Sequence, residues 1–293
     1  MESIREIVSF SHSGMSRMWY PFCATLNQNN SVISGENIYE ISELLNMLRS
    51  MFATNNHSPD GVNKTDQRIE NRFSSLRQKN RTTCSIVFRT ENNEYLLRRR
   101  FLGVFSVEAT IQKLDSSVIY YGLDAIRTLG KFHKPFVVSG DSIYAVNSLI
   151  LKPDTEFSRT SMTAMANSWA RMVGVNDPKI ELDYNGKWSV PGDIDPLNPI
   201  IYPSKAELNP PLMVLTHLAQ AVMRKRRFGN CPPVFTQFNI NGLNPFEAIA
   251  LLDLIKNVCI EENIQFIIGM NSNSEIDSMV EVISTPSLSV YQK

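Results

Sequence analysis

The chain has 293 residues, 43% hydrophobic and 20% charged, with 29 basic and 29 acidic side chains and zero formal net charge. That suits one large domain or two ordinary lobes with a real core, and excludes a uniformly basic nucleic-acid binder. No apolar run approaches the roughly 18 residues of a membrane span, the four cysteines lack any CxxC spacing, and MESIREIVSF has no signal-peptide form, so a soluble intracellular protein is expected.

Neutrality hides asymmetry: Lys64–Arg100 holds ten Lys/Arg against four Asp/Glu, and Val258 to the end holds one against five. In chain order, residues 1–33, including RMWYPFCATLNQNN, show no period and read as an N-terminal arm. Ser34 fits an N-cap for a helix to about Phe52, with Ile38, Ile41, Leu44, Leu45 and Leu48 on one face. ATNNHSPDGVNKTDQ (53–67) reads as a linker or mobile loop. Cys84–Phe88 and Tyr95–Val107, rich in β-branched and aromatic residues around ENNE, predict a β-hairpin. Helical period returns over 106–130, as two helices broken near Asp115–Ser117, and a shorter helix follows from Asp141 to Leu151.

In the second half, Met162, Met165, Ala166, Trp169, Met172 and Val173 share a helix face ending at Gly174. A Pro- and Asn-rich traverse, Asn176–Asn209, leads to a helix opened by Pro210–Pro211. Its stripe is Leu212, Leu215, Leu218, Ala219, Val222 and Met223, and Gly229 closes it. Arg224–Arg227 fill its last turn, where the helix dipole favours cations. Asn244, Pro245 and Glu247 form a capping box for a helix through Cys259, Gln265–Ile268 suggests a short strand, and residues 271–293 read as a flexible tail.

The expected fold is mainly α: a helical two-lobed core, a β-hairpin insertion in the first half and flexible terminal arms. The expected divisions are an arm (1–33), a first lobe (34–153, hairpin about 84–107), a helical core lobe (154–270) and a tail (271–293).

Chemistry is sparse. There is no Gly-rich phosphate loop of Walker or dinucleotide type, and the histidines (His12, His57, His133, His217) fall in no metal or triad spacing. His217 reads as structural. DPKIELDYNGKW offers Asp177, Glu181, Asp183 and Lys187, which could hold Mg²⁺ for phosphodiester cleavage, so a metal-dependent nuclease is an alternative. No catalytic residue, metal site or cofactor is assigned, and a non-enzyme is expected. YLLRRRF puts Arg98 and Arg100 on one face of a strand and Arg99 on the other. Cations beside aromatics suit either a single-strand groove or a charge-protected edge. Arg226 and Arg227, next to Phe228, could face a second groove.

The stretch MTAMANSWARMVGVND resembles a helix ending in a Val-Gly-Val-like turn in coat proteins of flexuous filamentous plant viruses. NCPPVFTQFNINGLNPFEAIALLDLI resembles the paired prolines, aromatic and Phe-Ala-Ala-Phe-Asp-type helix of the same family, a fold thought to be shared with phlebovirus-type nucleoproteins. The resemblance covers about residues 158–260. Phe246 and Asp253 match the family's structural pocket; Ala250 stands where its first Asp falls, and its pocket arginine has no match near Met213–Thr216. The resemblance implies a viral coat or nucleocapsid protein in the virion and host cytoplasm. It would self-assemble through terminal arms on single-stranded RNA, held by Arg98, Arg99, Arg100, Arg171, Arg226 and Arg227, with no membrane. A non-catalytic viral non-structural or host-interaction protein is the first alternative.

Overall fold

The structure, a computed structural model, describes residues 2–13, 22–36, 41, 44–45, 48, 51–52, 82–101, 107–138, 156–172, 174, 176–182, 188–189, 210–238 and 243–284. The expected linker at 53–67, the helix at 141–151, Asp183, Lys187 and most of the 176–209 traverse lie outside them.

The chain opens with β1 (Glu2–Ser3), β2 (Glu6–Ser13), β3 (Phe22–Thr25) and β4 (Asn30–Gly35). Next come β5 (Thr82–Arg89), β6 (Glu94–Phe101), β7 (Val107–Lys113), β8 (Ile119–Tyr121), helix α1 (Gly122–Leu129), β9 (Phe132–His133) and β10 (Phe136–Val138). The second half contributes α2 (Glu156–Met172), the small antiparallel pair β11 (Glu181–Leu182) and β12 (Trp188–Ser189), and α3 (Pro210–Phe228). It ends with β13 (Val234–Phe238), α4 (Pro245–Glu262), β14 (Phe266–Asn271), α5 (Ser274–Met279) and β15 (Val282–Ser284).

Two large sheets organise these elements. One is antiparallel, in the order β3-β2-β5-β6-β7-β8; the other is parallel, in the order β10-β13-β14-β4-β15. The mainly helical expectation is therefore corrected to a mixed α/β fold. The hairpin is present as β5–β6, but it belongs to a full sheet. The expected first arm contains strands of both sheets, and the expected tail supplies α5 and β15. Ser34 caps no helix; it lies in β4. Residues 107–113 and 119–121 are strands where helices were expected.

Burial explains the parallel strands. Every residue of β13 and the first five of β14 are buried, because both faces of this sheet are covered, and such strands lose the alternation that marks a half-exposed strand. On one face, Ile33, Phe235 and Ile267 join the core of the antiparallel sheet, together with the helical residues Ile41, Leu44, Leu45, Leu48 and Met51. On the other, Val32, Val234, Phe266 and Ile268 pack with α2, α3 and α4. Each large apolar side chain buried here contributes about 1.5–3 kcal/mol relative to exposure.

A buried glutamine ties the two sheets. Gln265 Oε1 accepts from the Ile7 amide at 2.7 Å, and its Nε2 donates to the carbonyls of Ile7 (2.8 Å) and Asn27 (2.9 Å). One side chain thus satisfies backbone groups at the end of the antiparallel layer that no strand reaches, as buried polar groups require. Among the described residues no helix is long and apolar enough to cross a membrane.

Candidate functional site

In an open parallel sheet, ligands sit outside the carboxyl ends of the strands. Here β4, β14 and β13, adjacent in the sheet, end at Gly35, Asn271 and Phe238. Beyond β4 the chain becomes helical by Ile41. A parallel strand with helix six residues beyond its end is the setting of a phosphate-binding loop, whose residues are G-x-x-x-x-G-K-[ST].

The chain reads GENIYEIS over 35–42. Gly35 and Ser42 agree with that pattern, Glu40 stands in place of the second glycine, and Ile41 in place of the lysine. The consequence is spatial as well as chemical. Ile41 is fully buried in the core between the sheets, whereas a phosphate-binding lysine must carry its charge to the ligand. Gly269, in the middle of β14, makes room for it: a methyl built there would fall well inside van der Waals distance of Ile41 Cγ2. A glycine is required here by close approach, the helix packing directly on the strand.

The strand ends are closed by hydrogen bonds. Ser34 Oγ donates to Asp277 Oδ1 and Oδ2 at 3.2 and 3.0 Å, and Ser272 Oγ donates to Asp277 Oδ2 at 2.8 Å. The Ser272 amide donates to the Gly35 carbonyl at 2.6 Å. Asn273 holds α5 in position, its Oδ1 accepting from the amides of Glu275 (3.0 Å) and Ile276 (3.3 Å). In a phosphate-loop enzyme a second strand of the sheet supplies an aspartate that holds Mg²⁺. β13 ends instead in Gln237 and Phe238, both buried. Asp277 is the carboxylate bonded at these ends. The seam ties β4 to β14 and α5, and the Asp277 carboxylate is engaged by two serine hydroxyls.

The residues singled out from the sequence lie elsewhere. On β6, Arg98 is exposed, Arg100 lies 3.7 Å from Glu108, and Arg99 is fully buried, facing Cys84 of β5 and Ala109 of β7 in register. Arg171 is exposed at the last turn of α2. At the end of α3, Arg226 Nε donates to Glu262 Oε1 of α4 at 2.9 Å, which raises the pKa of its guanidinium further. Arg227 and Arg224 flank the Phe228 ring at 5.4 and 5.3 Å. The six arginines thus sit on three separate elements. Phe246 is 64% exposed at the start of α4, and Asp253 is exposed two turns on. Asp177 pairs with Lys179 at 3.7 Å, and among the described residues no group of three His, Cys, Asp or Glu could hold a metal.

Burial pushes the Cys84 and Cys231 thiols up to about 12, and raises that of Cys259 as well, so these are core residues rather than nucleophiles. His217 is fully buried with Nδ1 2.9 Å from Thr236 Oγ1, and desolvation lowers it to about 4. Among the described residues its Nε2 and both side-chain polar atoms of Gln220, one turn on, have no hydrogen-bond partner. The residues that define the site (Ser34, Ile41, Gly269, Ser272 and Asp277) carry no local sequence signal; they become visible when the parallel sheet is known.

No family model and no curated protein matches this chain. Solved structures do. The Smc head domain with an extended coiled coil bound to the C-terminal domain of ScpA, from Pyrococcus furiosus, is 13% identical, aligned over 97% of this chain and 93% of that one, with a TM-score of 0.53. The SMC head domain from Thermotoga maritima is 14% identical over 94% and 92%, at a TM-score of 0.49. The recombination mediator protein RecF bound to an ATP analogue is 11% identical over 98% and 99%, also at 0.49. The expectation of a viral coat or nucleoprotein fold is overturned by the Smc-head architecture. With it go the readings that hung on it: RNA encapsidation, assembly through terminal arms, a place in the virion and the viral non-structural alternative. The nuclease alternative gains no support either, since its acids gather no metal cluster among the described residues. In fold, this chain is similar to an Smc-type head.

Proposed function

We propose that this chain is an Smc-head-like domain that does not turn over nucleotide and works as a protein-docking subunit of a cellular, DNA-associated assembly. The observation that carries the reading is Ile41: the position of the phosphate-loop lysine is a core side chain, pressed on Gly269. Two further departures support it, Glu40 for the second glycine and a β13 that ends without a carboxylate. A triphosphate brought to this corner would meet neither the cation nor the Mg²⁺ ligand that offset its desolvation. What remains is a rigid head whose uses are its surfaces. The Pyrococcus furiosus head, bound to a ScpA domain, is an instance of such docking.

Calorimetric titration of the intact chain with MgATP tests this, alongside a phosphate-release assay. The expected result is no saturable binding tighter than about 1 mM, that is, weaker than roughly 4 kcal/mol, and no phosphate release above buffer. Micromolar MgATP affinity, or ATP-dependent turnover lost on mutating Ser42, would overturn the reading.

A further inference from the structure

Six of the large apolar side chains exposed on this molecule fall within ten residues: Leu114, Val118, Ile119, Tyr120, Tyr121 and Leu123, at 36–65% exposure. They surround β8, the last strand of the antiparallel sheet among the described residues. All three β8 residues are exposed, where edge strands usually carry charge, a bulge or a cover. The chain leaves the strand abruptly: Gly122 follows at φ 53°, and α1 begins there. A clustered apolar edge of this kind marks an interaction site.

The backbone of this edge is also set for pairing. The Lys113 amide donates to the Val118 carbonyl at 3.0 Å, and the register continues Gln112↔Ile119, Ile111↔Tyr120, Thr110↔Tyr121. In an antiparallel ladder, hydrogen-bonded and non-hydrogen-bonded pairs alternate. Tyr120 therefore bonds inward to β7, Ile119 directs its amide and carbonyl outward, and Tyr121 directs its amide outward while its carbonyl, as the N-cap of α1, accepts within the helix.

We propose that a second copy of this chain pairs its β8 with this one, antiparallel about a two-fold axis at Tyr120. A two-fold perpendicular to the strands sets identical strands antiparallel, which is the sense of this whole sheet, and with its axis at Tyr120 it matches Ile119 of each copy with Tyr121 of the other. In each such pair the Tyr121 amide of one copy donates to the Ile119 carbonyl of the other, and Tyr120 meets its own copy as a close, non-hydrogen-bonded pair.

The rim fits the same occupant. Lys113 Nζ lies 3.6 Å from Asp115, and Arg127 Nη1 lies 3.2 Å from Asp124. Each charge is balanced within its own copy, so the rim carries no net charge that would select a polyanion or a basic partner, or repel a second copy. The exposed parts of the six side chains amount to roughly 500 Å² per copy. Pairing would then bury on the order of 1,000 Å², the lower limit of a specific interface and the mark of a concentration-dependent dimer. This surface is remote in sequence from the residue 35–42 corner, and the inference holds whether or not nucleotide binds there.

The test is sedimentation velocity on the full chain, without nucleotide, from about 1 to about 100 μM. The expected result is a monomer–dimer equilibrium in that range, and a monomer throughout for the Ile119→Lys, Tyr121→Lys double variant with unchanged circular dichroism. A parent that stays monomeric overturns the inference, including one that captures a different protein through this edge; so does a dimer that survives the double substitution. A second measurement does not depend on that variant's folding. In a Cys23→Ser background, Tyr120→Cys should cross-link to its own copy under mild oxidation while Ser116→Cys does not, since opposed Cα atoms in a non-hydrogen-bonded pair lie within disulfide reach. Cross-linking at 116 but not at 120 would refute the register and the two-fold with it.

Discussion

Replacing Gly269 with alanine probes the packing that fills the phosphate corner. The added methyl would press on Ile41 Cγ2, with the Thr236 carbonyl oxygen 3.8 Å behind it. Neither neighbour can give easily. Ile41 is β-branched and helical, with one strongly preferred rotamer, and β14 is hydrogen-bonded to β13 on one side and β4 on the other. Overpacking of this kind costs about 1–3 kcal/mol, and the relief of glycine's backbone entropy returns roughly 0.5–1 kcal/mol, so a net loss of about 1–2 kcal/mol is expected. Ile41→Ala alone should cost about 2–5 kcal/mol through the cavity it leaves. Together the two should cost less than their sum by about 1–2 kcal/mol, because the new methyl enters the vacated space. Urea unfolding of the four proteins, followed by far-UV circular dichroism, measures the cycle. Additivity within about 0.5 kcal/mol, or no loss from Gly269→Ala alone, would show that the helix does not rest on β14 at this point.

Two further outcomes can be measured in the same way. Burial lowers His12 and His217 from 6.5 to about 4, so between those values the unfolded chain binds protons that the folded chain does not, and stability falls as pH drops through this window, by up to about 1.4 kcal/mol per pH unit for each histidine. His217→Phe should remove about half of that slope between pH 6 and 5, and parallel slopes for parent and variant would refute the buried neutral imidazole. Gln265→Leu should cost about 2–4 kcal/mol by leaving the Ile7 amide and two carbonyls unsatisfied; a loss below about 0.5 kcal/mol would mean that the two sheets do not depend on that side chain.

What could be read from the sequence was local. The α4 start is the clearest case: the Glu247 amide donates to Asn244 Oδ1 at 2.9 Å and the Asn244 amide to Glu247 Oε2 at 3.1 Å, a reciprocal pair written within four residues. The α3 stripe and the β5–β6 hairpin were legible for the same reason. The first arm was not, because β2 is a strand by virtue of Phe10 meeting Ile86 and His12 meeting Cys84, partners some 70 residues away. VEATIQK over 107–113 contains good helix formers, and its pairing with β6 overrides that propensity. The site was the least legible part. The departure at Glu40 and Ile41 gains meaning from a parallel sheet whose strands come from opposite ends of the chain.

That arrangement also bears on synthesis. β4, at residues 30–35, lies between β14 and β15, whose residues 266–271 and 282–284 leave the ribosome more than 200 residues after it. At about 5–20 residues per second, this strand, buried in the finished sheet, waits roughly 10–50 s for either neighbour. The parallel sheet therefore closes around β4 only through pairings of high sequence separation, the kind whose loop-closure entropy makes folding slow.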